Sequence, residues 1–197
     1  MQATGGASLN ASDHDEFPPS TDPAAPGRRA WWLFPLTALV AYAIDLATKT
    51  WAVEALSGGR DRQVVDGVLT FHLTFNPGAA FSTGTEYTVA LSCLAILAVC
   101  LVLFFSVRVR DAGWAVALGL LLAGVGGNLT DRLFREPGPM RGHVVDFLQL
   151  PNWPVFNVAD ICINVAAGLI ILQTFRGIAL DGTRDRDRDA SGDEVAS

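Results

Sequence analysis

Residues 87–107 read YTVALSCLAILAVCLVLFFSV and contain no charged side chain. An apolar run of about 20 residues is long enough to cross the roughly 30 Å hydrocarbon core of a bilayer as a helix. Three further stretches, at residues 31–56, 112–131 and 156–175, have comparable length and apolar character. With a mean hydropathy of +0.33 over the chain, the sequence predicts an all-α membrane protein with four transmembrane helices.

The segments that flank this body are polar. Residues 1–30 and 177–197 are rich in Asp, Ser, Gly and Ala without apolar periodicity, so both are predicted to be disordered cytoplasmic tails. The membrane domain is then residues 31–176. The two tails hold most of the net charge of −6, so the acidity indicates no particular partner, and no nucleic-acid partner is predicted.

Arginine positions give the predicted orientation. The short turn Arg108-Val109-Arg110 joins the second and third apolar stretches. Because basic residues near helix ends favour the cytoplasmic side, this turn and both termini are expected in the cytoplasm. The first apolar run starts only at residue 31 and no cleavage site follows it, so it is interpreted as a retained helix.

Three of the predicted helices carry polar side chains along a single face. Asp45 and Lys49 lie four residues apart on the first helix, where they can pair. The other two faces, at the i, i+3 and i+7 spacing of a helix, are Gly124, Gly127, Asn128 and Asp131 on the third helix and Asn157, Asp160 and Asn164 on the fourth. In the predicted topology these faces meet in the outer leaflet. Since polar groups in a membrane need partners, they predict a functional site, with polar contacts between helices as the alternative.

Two aspartates flank the point at which the chain re-enters the membrane. Asp146 lies in the apolar segment VVDFL, and Asp160 lies within the fourth apolar stretch. Two carboxyl groups brought together at low dielectric can share a proton, as acid/base hydrolysis of an amide requires. The residues alone do not choose among Asp131, Asp146 and Asp160. Arg132 beside Asp131 favours an organising role for that acid and leaves the other two to share a proton.

The loop between the first two helices is predicted to contain a strand. Within residues 64–75, the run 68–75 alternates with Leu69, Phe71, Leu73 and Phe75 on one face, which indicates a small sheet with one apolar face at the membrane surface. The run ends in the turn signal Asn76-Pro77-Gly78. His143, three residues before Asp146, raises the alternative of a metal site, but the body offers too few ligands for one.

Five motifs occur in order along the body: DLATK at 45–49, NPGAAF at 76–81, GVGGNLTDR at 124–132, VVDF at 144–147 and FNVAD at 156–160. As an ordered set on four membrane segments, they resemble the lipoprotein signal peptidases, the signal peptidase II family. The resemblance implies four transmembrane helices with a small outward-facing β-sheet and a short amphipathic helix at the membrane surface. It also implies an aspartic endopeptidase that removes the signal peptide from diacylglyceryl-modified prolipoproteins by cutting before the lipidated cysteine.

Residue by residue, the resemblance makes Asp146 and Asp160 the catalytic pair, which acts through an activated water. The positions that match site-supporting or substrate-binding residues are Asp45, Lys49, Asn76, Gly78, Asn128, Asp131, Arg132 and Asn157. No metal or cofactor is implied. The implied partners are lipidated prolipoproteins and membrane lipid, and the implied location is the bacterial cytoplasmic (inner) membrane, with the active site at its outer surface.

Other classes of protein also carry acids within the membrane. A small transporter or proton-relay protein would spread its acids over several depths, whereas these gather near one predicted surface. An intramembrane protease of the presenilin type would carry a Gly-x-Gly-Asp motif, which this sequence lacks. A structural or assembly subunit is a further alternative.

Overall fold

The computed structural model describes residues 30–78 and 87–184. In these ranges the chain forms α1 (Leu33–Leu56), β1 (Arg62–Val65), β2 (Leu69–Asn76), α2 (Thr88–Ser106), α3 (Ala112–Phe134), β3 (Val144–Gln149) and α4 (Val158–Phe175). All four of these helices are long and apolar enough to cross a membrane. The predicted four-helix membrane fold is therefore confirmed, and the protein is a multi-pass membrane protein.

Helix α3 packs against each of the other three helices. The close approach depends on glycine. A Cβ atom at Gly124 would lie 2.5 Å from the carbonyl oxygen of Ala159 on α4, and one at Gly127 would overlap the Asp45 carboxylate on α1. The absence of side chains at these positions lets the polar residues of three helices share one layer, as the predicted glycine face of α3 requires.

The three strands form an antiparallel sheet in the order β1-β2-β3. Phe71 and Leu73 of β2 pack with Phe147 of β3 against Ala52 and Leu56 at the end of α1. These contacts fix the sheet to one end of the helix bundle, called the sheet end below. They confirm the predicted sheet and its apolar face.

The connection between α3 and α4 is more regular than its sequence indicated. Helix α3 continues to Phe134, and residues 144–149 form β3 instead of part of a loop. The short amphipathic helix implied by the family resemblance is not among the helices of residues 30–78 and 87–184. Residues 79–86 of the first connection lie outside the described part of the chain.

Residues 177–184 are packed, although they fall within the predicted C-terminal tail. Ile178 is buried, and its carbonyl accepts a 2.8 Å hydrogen bond from the indole nitrogen of Trp114. The carbonyl of Leu180 accepts one from the backbone nitrogen of Arg110, also at 2.8 Å. The apolar side chains of this segment thus hold it against the turn between α2 and α3. The remainder of the predicted tails, residues 1–29 and 185–197, lies outside the described residues.

Candidate active site

The register of the sheet places Asp146 beside Asn76. Thr74 of β2 lies opposite Asp146 of β3, so Asn76, two residues further along β2, is a diagonal neighbour of that aspartate. The Asn76 side-chain amide donates a 2.9 Å hydrogen bond to Asp146 Oδ2. The side chain of Asp146 is therefore held by the end of β2, although it lies 70 residues from Asn76 in sequence.

The first turn of α4 positions the second aspartate. Asn157 is the N-cap, and its side-chain oxygen accepts a 3.0 Å hydrogen bond from the backbone nitrogen of Asp160. Asp160 Oδ2 in turn accepts one from the backbone nitrogen of Asn157 at 3.1 Å. This reciprocal capping box fixes the carboxylate at the N-terminus of α4, the positive end of the helix dipole.

Asn157 also connects the two aspartates. Its Nδ2 donates to Asp146 Oδ1 at 2.7 Å and to Asn128 Oδ1 at 3.1 Å. Asn128 donates from its own Nδ2 to Asp160 Oδ1 at 2.9 Å. Both carboxylates therefore accept hydrogen bonds from side-chain amides, and Asn157, which has no solvent-exposed surface, is common to both.

The pKa of the Asp146 carboxyl is raised to about 6, mainly because the side chain is buried. The neighbouring charge of Asp160 raises it further, whereas the hydrogen bonds from Asn76 and Asn157 and the charge of Lys49 act in the opposite direction. A carboxyl group in this setting can hold a proton in mildly acidic surroundings and release it near neutrality.

A second group of charges lies beside the two aspartates. Lys49 Nζ is 2.9 Å from Asp45 Oδ2 and 2.9 Å from Asp131 Oδ2, and it donates a 3.0 Å hydrogen bond to Asn128 Oδ1. Asp45 also accepts a 2.9 Å hydrogen bond from the backbone nitrogen of Ala159. Because the side chain of Lys49 is fully buried, its charge is compensated entirely by these neighbours.

The sequence suggested that Asp131 pairs with its neighbour Arg132, but the structure shows no ion pair between these two described residues. The second oxygen of Asp131, Oδ1, contacts Arg135 Nε, and Val145 N donates to Oδ2 at 3.2 Å. Neighbouring residues on a helix point about 100° apart, whereas residues four apart share a face. Asp131 still has an organising position, since it holds both Lys49 and the start of β3.

Arg132 instead extends towards the turn that follows β2. A Cβ atom at Gly78 would lie 3.3 Å from Arg132 Nη1, and Gly78 itself has a positive φ of 121°. The buried Nη1 atom has no hydrogen-bond partner among the residues that the structure describes. Gly78 N donates a 2.9 Å hydrogen bond to Asn76 Oδ1, which ties this turn to the amide that contacts Asp146.

Asp146 and Asp160 line one groove of about 440 Å³ between α4 and the segment that precedes it. The other residues that line it include Asn76, Trp153, Phe156, Ile161, Asn164 and Val165. Trp153, Ile161 and Val165 are exposed large apolar side chains, so the groove opens onto an apolar surface. A substrate in this groove can reach both carboxyl groups while its apolar part stays outside the protein.

The ten residues proposed from the sequence thus lie together at the sheet end. Hydrogen bonds and ion pairs link nine of them, and Arg132 adjoins Gly78. Sequence reasoning missed Arg135, although its i+4 spacing from Asp131 was available as a signal. It also missed the apolar groove wall, for which exposed apolar residues on a membrane helix give no distinguishing signal.

Among the described residues, no group of three or more His, Cys, Asp or Glu side chains is arranged to hold a metal ion. His143 lines a separate cavity with Phe75, Phe134, Arg135 and Glu136. It is therefore not part of the groove that contains Asp146 and Asp160.

A family model described as "Signal peptidase (SPase) II" matches residues 37–176. The chain is 43% identical to a lipoprotein signal peptidase of Leifsonia xyli subsp. xyli, over 96% of this chain and 91% of that protein. It is 41% identical to a lipoprotein signal peptidase of Mycolicibacterium smegmatis, over 89% of this chain and 75% of that protein.

A solved bacterial membrane enzyme has a similar fold. It aligns with a TM-score of 0.63 and 25% sequence identity, and the alignment covers 71% of this chain and 85% of the other. A second solved bacterial membrane enzyme aligns with a TM-score of 0.62 and 26% identity, covering 71% of this chain and 90% of the other.

Proposed function

The chain belongs to the signal peptidase II family, and we propose that it is an aspartic endopeptidase that removes the signal peptide from diacylglyceryl-modified prolipoproteins by cutting before the lipidated cysteine. The observation that supports this most directly is the groove in which Asp146 and Asp160 are joined through Asn157. A protease of this kind needs two carboxyl groups beside one peptide bond, together with access from the lipid for the acyl chains.

We assign different roles to the two carboxyl groups. Asp146 holds the proton, because burial raises its pKa to about 6. Asp160 carries the negative charge, because it lies in the first turn of α4 and accepts hydrogen bonds from Asn157 N and Asn128 Nδ2. A close pair that holds one proton avoids two adjacent charges at low dielectric.

The reaction follows from this distribution of charge. Asp160 takes a proton from a water molecule, whose oxygen attacks the scissile carbonyl carbon, while Asp146 gives its proton to the carbonyl oxygen. When the tetrahedral intermediate collapses, the C–N bond breaks and the proton on Asp160 passes to the leaving nitrogen. Asp146 recovers its proton from one of the two hydroxyl groups of the intermediate, whose oxygen becomes the carbonyl oxygen of the new carboxyl group. The pair thereby returns to its starting state.

The neighbouring residues are proposed to hold this pair and the substrate. Asn76, Asn128 and Asn157 orient the carboxylates by the hydrogen bonds described above. Arg132 is proposed to donate from its buried Nη1 to a carbonyl oxygen of the substrate, since the described residues offer that atom no acceptor. Lys49 fixes Asn128 from the side away from the groove.

We propose that the site faces the outside of the bacterial cytoplasmic membrane and that both termini lie in the cytoplasm. Arg108 and Arg110 support this orientation, because they lie in the turn between α2 and α3 at the end of the bundle opposite the sheet. The substrate's acyl chains would then remain in the outer leaflet while its peptide enters the groove.

The direct test is cleavage by the purified protein in lipid. A prolipoprotein that carries diacylglyceryl-cysteine and the same precursor without lipid are the two substrates. We expect cleavage of the lipidated form only, with a product that mass spectrometry shows to begin at the lipidated cysteine. Cleavage of neither form, or equal cleavage of both, would contradict the proposal. An Asp146→Asn, Asp160→Asn double variant in the same lipid is the control for contaminating proteases.

A further inference from the structure

Asn164 is a polar residue in a place where an apolar one is expected. It lies within the transmembrane helix α4, its side chain is exposed, and it lines the same groove as Asp160. Its neighbours on this surface are Ile161 and Val165, whose side chains are 43% and 47% exposed. An amide exposed on the apolar surface of a membrane helix is unfavourable unless it has a polar partner.

The hydrogen bonds of Asn164 leave part of its amide available. A side-chain amide has two N–H donors and one acceptor oxygen. In the described structure, its hydrogen bond is from Nδ2 to the backbone carbonyl of Asp160, at 2.8 Å. One N–H donor and the oxygen are therefore open to a ligand in the groove.

The position of Asn164 limits what that ligand can be. Asn164 follows Asp160 by four residues on α4, so it lies about 6 Å further along the helix, away from the sheet end and towards the membrane interior. If the scissile peptide bond lies at the two aspartates, this depth is reached by the group attached to the lipidated cysteine. The polar groups of a diacylglyceryl group in that direction are its two esters, whose carbonyl oxygens are its strongest hydrogen-bond acceptors.

We propose that Asn164 is a specificity-determining residue that donates its second Nδ2–H to an ester carbonyl of the substrate's diacylglyceryl group. This inference rests on the proposed function, because it takes the substrate of the same groove as given. Ile161 and Val165 lie on either side and contact the first methylene groups of the acyl chain. The amide thereby distinguishes an ester-linked lipid from one that lacks carbonyl oxygens.

The test compares two substrates of equal chain length. One is a prolipoprotein peptide with a diacylglyceryl-cysteine, and the other carries the corresponding dialkyl ether, which lacks both carbonyls. For the unsubstituted protein, we expect kcat/KM to be about fivefold higher for the ester, the factor that one neutral hydrogen bond typically contributes.

Two substitutions separate the ligand contact from a structural role. Asn164→Thr retains a hydrogen bond to the carbonyl four residues earlier, as Thr48, Thr130 and Thr174 do in this protein at 2.8 Å. Its single hydroxyl proton is then used, so it has no donor for the ester. Asn164→Leu removes both hydrogen bonds. We expect both variants to cleave the ester substrate about fivefold less efficiently and the ether substrate as before.

Thr174→Val is the matched control, because it removes the same kind of backbone hydrogen bond from α4 away from the groove. We expect it to keep the preference for the ester. An equal loss on both substrates in Asn164→Thr, or no ester preference in the unsubstituted protein, would overturn the inference and leave the proposed function intact. Failure of the unsubstituted protein to cleave either substrate would refute the proposed function and this inference together.

Discussion

Two groups of acidic side chains lie side by side at the sheet end, and they differ in what neutralises them. The paired cluster consists of Asp45, Lys49, Asp131 and Arg135, in which each aspartate contacts a cation. The groove pair consists of Asp146 and Asp160, whose described hydrogen-bond partners are amides. Each group contains buried carboxylates, Asp45 and Asp131 in the first and Asp146 in the second, so the chemistry of the nearest partner distinguishes them.

The two groups therefore differ in how readily their carboxylates can take up and release a proton. A carboxylate next to a buried lysine is tied to that cation, because losing either partner leaves the other without compensation. A carboxylate whose hydrogen bonds come from amides can keep its position whether or not it is protonated, and for Asp146 burial raises the pKa to about 6. The paired cluster is therefore suited to fixing helices, and the groove pair is suited to moving protons.

The largest expected effect is loss of activity when a member of the groove pair is replaced. Asp146→Asn and Asp160→Asn each remove a group that exchanges a proton in the proposed reaction, so kcat should fall by about 10³-fold or more. The measurement is cleavage of the lipidated precursor. The thermal unfolding temperature in detergent should change little, because among the described residues neither aspartate forms a direct ion pair with a cation. Normal processing by either variant would contradict the division of roles.

The next effect is on stability and comes from the paired cluster. Lys49→Met removes the cation that Asp45 and Asp131 share and leaves two buried carboxylates without it. Removing one partner of a buried ion pair typically costs about 3–5 kcal/mol, so the free energy of unfolding should fall by about that amount. Thr50→Val on the same helix is the matched control, because Thr50 is exposed and bonds only its own helix backbone. Equal stability of the two variants would show that the cluster does not hold the helices together.

A smaller effect concerns pH. Asp146 must be protonated in the proposed reaction, and its pKa is about 6. The value of kcat/KM should therefore fall as the pH rises through about 6, where Asp146 loses its proton. The hydrogen bond from Asn76 lowers this pKa by stabilising the charged form. In Asn76→Leu the carboxyl should keep its proton to higher pH, so the decline in kcat/KM should move to higher pH.

The measurement for that prediction is a pH profile of kcat/KM for the protein with and without Asn76→Leu. Arg135→Gln is a suitable comparison, because it changes the paired cluster and leaves both hydrogen bonds of Asp146 in place. We expect its profile to match that of the unsubstituted protein. A shift to lower pH in Asn76→Leu would contradict the role given to the Asn76 amide.

The contrast between the two groups could be predicted only in part from the sequence. The helices followed from length and hydropathy, and the faces that carry Lys49, Asn128 and Asp160 followed from helical spacing. The predicted partner of Asp131, Arg132, was wrong. Arg132 is adjacent in sequence but points in another direction, whereas Arg135 lies one helical turn further on and forms the ion pair. Spacing along the helix is the better guide to such pairs.

The contacts of Asp146 could not be predicted, for a different reason. They depend on the register of β2 and β3, which places Thr74 opposite Asp146 and brings Asn76 to its side. These strands are separated by two transmembrane helices in sequence. The apolar run at 144–149 is also too short to distinguish a strand from a loop by periodicity alone. The register emerges only when the sheet packs on α1.

The smallest expected effect tests whether every cation of the paired cluster matters equally. Arg135 contacts Asp131, but its side chain is 28% exposed, whereas Lys49 is fully buried. A partly hydrated guanidinium is screened by water and leaves Asp131 still paired with Lys49, so Arg135→Gln should lower the free energy of unfolding by about 1 kcal/mol or less. Cleavage activity should be unchanged, because Arg135 does not contact the groove pair. If Arg135→Gln instead destabilised the protein as much as Lys49→Met, burial would not be what distinguishes the two cations, and the cluster would have to act as one indivisible network.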